Sequence, residues 1–296
     1  MPVIDAHVHL YPPGLNRDPV GWAAAHREPH WATLCARKRK NGRPVQAFPS
    51  SDELLRTMDA AGVDRAVLLG WYWENHESCV IQNRFYAECV RAHPDRLSAF
   101  ATVYPTAGDA ALAEIRRVHG DGLIGLGELS PHSQHIAVDD PRWRAVLTLA
   151  GELGLPINLH VTDPSPATGN YHGRVETPLV DFVLLAQAFP KVKFTLAHWG
   201  GCWWRHGVRL PDNVWFDTAA SPLLYAPTVF GEGVTACGAD RVLWGTDYPL
   251  DLYPRDEALE TMAGFLAEVR ATLPVAIAKN VLGGNAVRLL RLASGS

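Results

Sequence analysis

Short apolar runs alternate with amphipathic stretches along most of this chain. The first run, residues 3–9, combines β-branched residues with period-two alternation and predicts a strand at the very start. Ser50 and Glu53 have capping-box spacing, and the amphipathic stretch after them predicts a helix that ends at Gly62. Further apolar runs predict strands at 64–69, 97–103, 123–128, 156–160, 192–198, 214–217 and 242–247.

Each of these eight predicted strands is followed by a helical stretch. Such alternation predicts a parallel sheet covered by helices, and eight units favour closure into a (β/α)₈ TIM barrel of the α/β class. An open doubly wound sheet is the alternative, but it normally has a glycine-rich turn after its first strand, and HLYPPG lacks that fingerprint. With no linker in evidence, we expect one domain over 1–296.

A long segment, residues 11–50, separates the first strand from the first barrel helix, and we call it the insertion. Loops of this length inside a compact domain are usually functional, so we expect a lid. The insertion carries the basic run RKRK at 37–40 and several aromatic residues. Two interpretations stay open: a solvated charged face, or a basic, aromatic lid that favours an anionic planar substrate.

Composition narrows the function classes. Lysine and arginine number 27 against 31 acidic residues, so the net charge of −4 provides no field for binding nucleic acid or an anionic membrane. The N-terminal residues lack a signal-peptide pattern, and no apolar run approaches the roughly 20 residues of a membrane span. The five scattered cysteines contain no C-x-x-C and suggest reduced thiols. We expect a cytoplasmic protein with a small-molecule substrate, and leave a homodimer open.

Metal-binding residue types collect at the predicted strand ends. A barrel builds its active site at the carboxyl ends of its strands. Five of those ends carry imidazoles or carboxylates: His7, His9, Glu128, His160, His198 and Asp247. Individually, the H-x-H pair could be solvent-facing and His160 a core histidine. Together they predict a divalent-metal site, with zinc expected and manganese or iron as alternatives.

Other residues near these strand ends have more than one possible role. Glu128 could bridge a second ion, hydrogen-bond a ligand, or hold a substrate group. Asp217 could orient a ligand or substrate, or cap the following turn. His132, His172 and Trp199 follow predicted strands and are candidate substrate contacts.

These motifs resemble the amidohydrolase superfamily, and within it the branch of metal-dependent hydrolases that includes aminocarboxymuconate-semialdehyde decarboxylase and the resorcylate decarboxylases. The resemblance covers nearly the whole chain. It rests on IDAHVHLYP, GLGELSPHSQ, LPINLHVTDP, FTLAHWGG, DRVLWGTDYP and KNVLGGNAVRLL. Together these motifs are specific for the fold and the superfamily, but not for a substrate.

The resemblance implies roles for individual residues. The family's metal ligands correspond to His7, His9, His160 and Asp247, and His198 corresponds to a histidine that acts as an acid/base or polarises the substrate. Many members bridge two metals with a carboxylated lysine on strand four. Glu128 occupies that place here, so the resemblance implies one or two ions, of which we expect one.

The first functional hypothesis is a hydrolase acting on an amide, ester or lactone of a small carboxylated molecule. A metal would lower the pKa of its water toward about 7, Asp247 would take the proton, and His198 would hydrogen-bond the carbonyl oxygen. The alternative is a metal-dependent, non-oxidative decarboxylase of an aromatic or unsaturated acid, with Asp247 or His198 protonating the carbon. A barrel that binds a ligand without catalysis is a third hypothesis, disfavoured by the complete ligand set.

Overall fold

The computed structural model describes residues 1–165, 171–256 and 259–292. Its strands form one parallel sheet in chain order, as the sequence predicted. The strands are β1 Ile4–Val8, β2 Arg65–Leu68, β3 Leu97–Ala101, β4 Gly125–Leu129, β5 Ile157–Leu159, β6 Phe194–Leu196, β7 Val214–Asp217 and β8 Val242–Leu243. Beyond β8, the Asp247 N–H donates to the His7 carbonyl at 2.9 Å, and the Ala6 N–H donates to the Trp244 carbonyl at 2.9 Å. These contacts join the two edges into a (β/α)₈ barrel.

Helices surround the strands. They are α1 Pro13–Arg17, α2 Pro19–His26, α3 Pro29–Cys35, α4 Ser51–Ala61, α5 His76–Ala92, α6 Asp109–Gly120, α7 Pro141–Leu153, α8 Leu179–Ala188, α9 Ser221–Leu224, α10 Val229–Cys237, α11 Thr261–Thr272, α12 Val275–Lys279 and α13 Asn285–Leu290. The predicted capping box is present at α4, where Ser50 and Glu53 exchange hydrogen bonds and Gly62 ends the helix with φ of 70°. No helix among the described residues combines the length and apolar character needed to cross a bilayer.

Several strands are shorter than predicted. β5 ends at Leu159, β6 at Leu196 and β8 at Leu243, whereas the apolar pattern continued to the polar residues that follow. The polar residues that follow make at most single backbone bonds to the neighbouring strand, as His160 N–H does to the Leu129 carbonyl at 2.9 Å, and do not continue the regular ladder. After β6 the backbone makes one left-handed turn over His198–Cys202, in which all five φ values are positive.

The insertion is a folded element with its own small core. It contains α1, α2 and α3, and then a short antiparallel bridge between Lys38 and Pro44. Trp31 is fully buried and packs with Trp73 from the segment after β2. An aromatic cluster therefore holds the insertion against the carboxyl end of the barrel, where the polar strand ends lie.

Candidate active site

His7 and His9 lie on the same face of β1 and turn their Nε2 atoms toward each other. The Nδ1–H of His7 donates to Asp217 at 2.9 Å, and that of His9 donates to the Leu69 carbonyl at 2.9 Å. With both Nδ1 atoms acting as donors, neutral rings place two Nε2 lone pairs 3.1 Å apart. Two nitrogens on one ion at about 2.1 Å each are separated by a similar distance, so the pair fits a metal.

Two carboxylates complete this first group of ligand atoms. An oxygen of Glu128 lies 3.8 Å from His7 Nε2 and 3.7 Å from His9 Nε2. An oxygen of Asp247 lies 3.8 and 3.3 Å from the same two nitrogens. The carboxyl ends of β1 and β4 and the segment after β8 thus bring two imidazoles and two carboxylates near one another, donor types that suit zinc, manganese or iron.

A second group forms around the other oxygen of Glu128. It lies 2.9 Å from His160 Nδ1 and 3.6 Å from His198 Nε2, and these two nitrogens are 3.3 Å apart. The expected ligands therefore form two groups that share the Glu128 carboxylate, His7–His9–Glu128 and Glu128–His160–His198. Asp247 lies beside the first group, near His9. A hydrogen bond between His160 and Glu128 already satisfies part of the second group.

Burial and the neighbouring charges shift the pKa values of these side chains in opposite directions. Burial alone would lower the pKa of His7, but the charge and hydrogen bond of Asp217 raise it to about 10. Burial would raise the pKa of Glu128, yet the charge of His160 and the hydrogen bonds of His160 and His198 hold that pKa well below its usual value. In the metal-free site the raised pKa of His7 favours its protonated ring, so a metal that binds this ring would displace a proton.

Two buried aspartates hold the site from behind. Asp217 accepts from His7 and from Asn158 Nδ2 with one oxygen, both at 2.9 Å. Asp5 accepts from the Thr246 N–H at 2.9 Å, which fixes the segment before Asp247. Sequence reasoning offered Asp217 as one option and missed Asn158, Asp5 and Thr246. Alternation on β1 places Asp5, His7 and His9 on one face, and was the available signal for Asp5.

The site is the floor of a cavity of about 340 Å³. Trp71 and Tyr72 form one wall, with their rings stacked at 4.2 Å, and Tyr72 also lies 5.3 Å from the His160 ring. Tyr171 also lines the cavity. Stacked rings beside an imidazole and carboxylate floor suit a planar ligand.

The residues of the basic run at 37–40 differ in exposure: some face solvent and others line the cavity. Lys38 and Lys40 are exposed, whereas Arg37 and Arg39 are partly buried and line the cavity. Arg39 pairs with Asp251 at 3.7 Å. The guanidinium of Arg37 lies 5.2 Å above the Tyr171 ring, and its Nε has no hydrogen-bond partner among the described residues. Alternation explains the division, because neighbouring residues face opposite sides.

Three candidate substrate contacts do not lie on the cavity surface. His132 donates to Asp181 of α8 at 2.8 Å, since the loop after β4 turns outward there. His172 is exposed, although Tyr171 and Arg174 beside it line the cavity. Trp199 is fully buried beneath the left-handed turn, where its indole donates to Ser221 at 2.7 Å.

Solved structures with the same fold match nearly all of this chain. 5-Carboxyvanillate decarboxylase from Sphingomonas paucimobilis is 21% identical, with a TM-score of 0.75 and 99% of each chain covered. 2,6-Dihydroxybenzoate decarboxylase from Rhizobium is 21% identical, with a TM-score of 0.68 and coverage of 98% of this chain and 99% of that one. Dihydroxybenzoic acid decarboxylase from Polaromonas sp. JS666, solved with manganese and 2-nitroresorcinol bound, is 20% identical, with a TM-score of 0.68 and coverage of 99% and 98%.

These comparisons contradict the hydrolase hypothesis. The similar structures named here are decarboxylases of aromatic acids, which release CO₂ and add no water across a bond. The sequence motifs led to the wrong choice because a divalent-metal site at the mouth of a barrel serves either reaction, and the ligand pattern does not distinguish them.

A family model provides the assignment that low-identity structures cannot. The model described as amidohydrolase matches residues 4–292, from β1 to the last turn that the structure describes. That match includes the H-x-H pair, Glu128, His160, His198 and Asp247. The chain therefore belongs to the amidohydrolase family.

Proposed function

We propose that this protein is a metal-dependent, non-oxidative decarboxylase of a small aromatic or unsaturated carboxylic acid. The observation that carries the proposal is the cavity itself, which places a floor of imidazoles and carboxylates below stacked aromatic rings and Arg37. A planar acid fits both the charge and the shape of that space. The aromatic-acid decarboxylases that share the fold support the same reaction.

The residues present fit a divalent ion, which we propose is held by His7, His9, Glu128 and Asp247, with His160 as a further ligand candidate. Manganese is favoured over zinc because a structure of the same fold was solved with manganese. A bound divalent ion would supply a Lewis acid that orients the substrate's carboxylate and a neighbouring oxygen.

The chain's own residues provide binding and a proton. Arg37 would pair with a substrate oxyanion, and Trp71 and Tyr72 would hold the plane of the substrate. The His198 ring donates through Nδ1 to the Ala219 carbonyl at 3.0 Å, so its Nε2 faces the cavity. We assign His198, with Asp247 as the alternative, to protonate the carbon from which the carboxylate leaves. The carbon–carbon bond electrons remain on that carbon, CO₂ departs, and one proton replaces it.

The test is a panel of hydroxylated benzoic acids and unsaturated diacids given to the manganese-loaded enzyme in D₂O. Stoichiometric CO₂ and a product carrying one deuterium at the former carboxyl position would support the proposal. His198→Ala should retain the metal and lose most of this activity, whereas His119→Ala, a change on the outer end of α6, should keep both. Uptake of water into the product without CO₂ would overturn the proposal.

A further inference from the structure

The left-handed turn after β6 places His198 at the cavity. His198, Trp199 and Cys202 have φ values of 55°, 60° and 51°, a region that side chains with a Cβ disfavour. Gly200 and Gly201 lie between them with φ of 57° and 62°. Such a run persists only where the surroundings hold it, and strain of this kind is concentrated at functional sites.

The two glycines explain only part of the turn. A Cβ on Gly200 would lie 3.2 Å from the Phe216 ring, and one on Gly201 would lie 3.2 Å from the Asp163 backbone. The glycines therefore allow the chain to pass close to β7 and the loop after β5. They do not determine the direction of the His198 ring, because a glycine makes no side-chain contact.

Three anchors from the end of β7 and the segment after it do determine that direction. The Asp217 carboxylate accepts from the His198 backbone N–H at 3.2 Å, and the Ala219 carbonyl accepts from its ring at 3.0 Å. The third anchor acts through the next residue, because the Trp199 indole N–H donates to Ser221 Oγ at 2.7 Å. Ser221 Oγ in turn donates to the Thr218 carbonyl at 2.6 Å, which fixes the acceptor.

The Trp199 ring is itself immobilised. It is fully buried and contacts the Phe230 ring at 5.5 Å and the Trp204 ring at 6.1 Å, each edge to face. Gly233 of α10 lies directly against it, and a Cβ there would overlap the ring. Helix α10 packs against the Trp199 ring, and Ser221 accepts a hydrogen bond from its N–H. These contacts hold the ring, and with it the turn, in one arrangement.

We propose that Trp199 is a positioning residue, whose indole–Ser221 hydrogen bond holds the left-handed turn so that His198 Nε2 faces the cavity. Trp199 touches neither the cavity nor the cluster of ligand atoms, so it acts through His198. The kinetic part of this inference rests on the decarboxylase proposed above; the positioning of the ring does not.

The experiment compares Trp199→Phe with Trp143→Phe in the metal-loaded enzyme. Both changes remove a buried indole N–H and keep an aromatic ring, but Trp143 lies on α7 and its N–H has no hydrogen-bond partner among the described residues. We expect kcat to fall about 10- to 100-fold in Trp199→Phe with KM little changed, because a displaced proton donor affects the chemical step and not binding. Trp143→Phe should match the wild-type enzyme.

A second readout needs no substrate. In protein labelled with ¹⁵N-histidine, the Nδ1–H of wild-type His198 should give one sharp signal, because the Ala219 carbonyl holds it in a single hydrogen bond, and Trp199→Phe should shift or broaden that signal. If no acid is decarboxylated by the wild-type enzyme, the proposed function fails, while these spectra still decide the role of Trp199.

Ser221, which accepts the hydrogen bond from Trp199, provides the remaining control. Ser221→Ala should reproduce the loss in kcat, and the double variant should lose no more than either single one, since both changes break the same hydrogen bond. Ser221→Ala also keeps the inference testable if Trp199→Phe does not fold. An unchanged kcat together with an unchanged His198 Nδ1–H signal in Trp199→Phe, an equal loss in Trp143→Phe, or additive losses in the double variant would each overturn the inference.

Discussion

The Nδ1–H of His7 donates a 2.9 Å hydrogen bond to the Asp217 carboxylate, and neither side chain is exposed to solvent. This bond fixes the ring so that Nε2 points at the proposed ion, and the carboxylate makes that nitrogen a stronger ligand. The other oxygen of Asp217 accepts from the backbone N–H groups of His198 and Ala219, at 3.2 and 3.0 Å. One carboxylate thus orients both a proposed ligand and the proposed proton donor.

Asp217→Asn should weaken metal binding by about 10- to 100-fold, because an amide keeps the shape but loses the charge that supports His7. Titration of the metal-free protein with manganese measures the effect. Asp212→Asn is the matched control, since Asp212 is fully exposed and its one ion pair among the described residues is with Arg241 at 3.7 Å. Equal affinities in the Asp217 variant and the control would contradict the role of Asp217.

Glu128→Gln tests the number of ions. We expect one ion per chain in the wild-type protein, because the hydrogen bond between His160 and Glu128 already uses the second group. The variant should keep that stoichiometry with lower affinity, since a neutral amide is a poorer ligand than a carboxylate. Metal analysis after gel filtration gives the count, with the exposed Glu176→Gln as control. Two ions in the wild-type protein that fall to one in the variant would show instead that Glu128 is a bridge.

Arg37→Gln should raise KM for the acid by about tenfold or more, with a smaller effect on kcat, because a charge-assisted hydrogen bond to the substrate is lost. Lys40→Gln, in the same basic run but exposed, should leave KM unchanged. Steady-state kinetics on the best acid of the panel decide the matter. A similar rise of KM in both variants would indicate that the basic run attracts the acid at long range and that Arg37 does not contact it.

Alanine substitutions at two glycines of helix α10 should have opposite effects on the stability of the protein. Nothing lies within 4 Å of a Cβ at Gly231, so Gly231→Ala should stabilise the protein by about 0.5–1 kcal/mol through helix propensity. Gly233→Ala would push a methyl group into the Trp199 ring and should destabilise it by about 1–3 kcal/mol. Thermal unfolding of both variants measures the difference. A Gly233→Ala protein as stable as Gly231→Ala would show that the Trp199 ring is free to move.

The order of apolar runs was sufficient to predict the barrel. Eight runs separated by amphipathic stretches have few packing solutions other than a closed parallel sheet, and capping signals such as Ser50 and Glu53 act over a single turn. The carboxyl ends of the strands then bring Glu128 and Asp247 close to His7 from distant parts of the chain, because the topology requires it. Local pattern and chain order are properties that a sequence carries directly.

Only the tertiary structure decided which way individual side chains point and which distant residues they contact. The sequence could not show that the chain after β6 turns left-handed and buries Trp199 while it exposes His198 to the cavity, since that turn depends on contacts with Asp217 and Ser221 far along the chain. Nor could it separate Arg37 from Lys40, because a run of like charges looks uniform until a backbone assigns each side chain a face. The choice between adding water and releasing CO₂ also lay outside the ligand motif, because the same residue types bind a metal for either reaction.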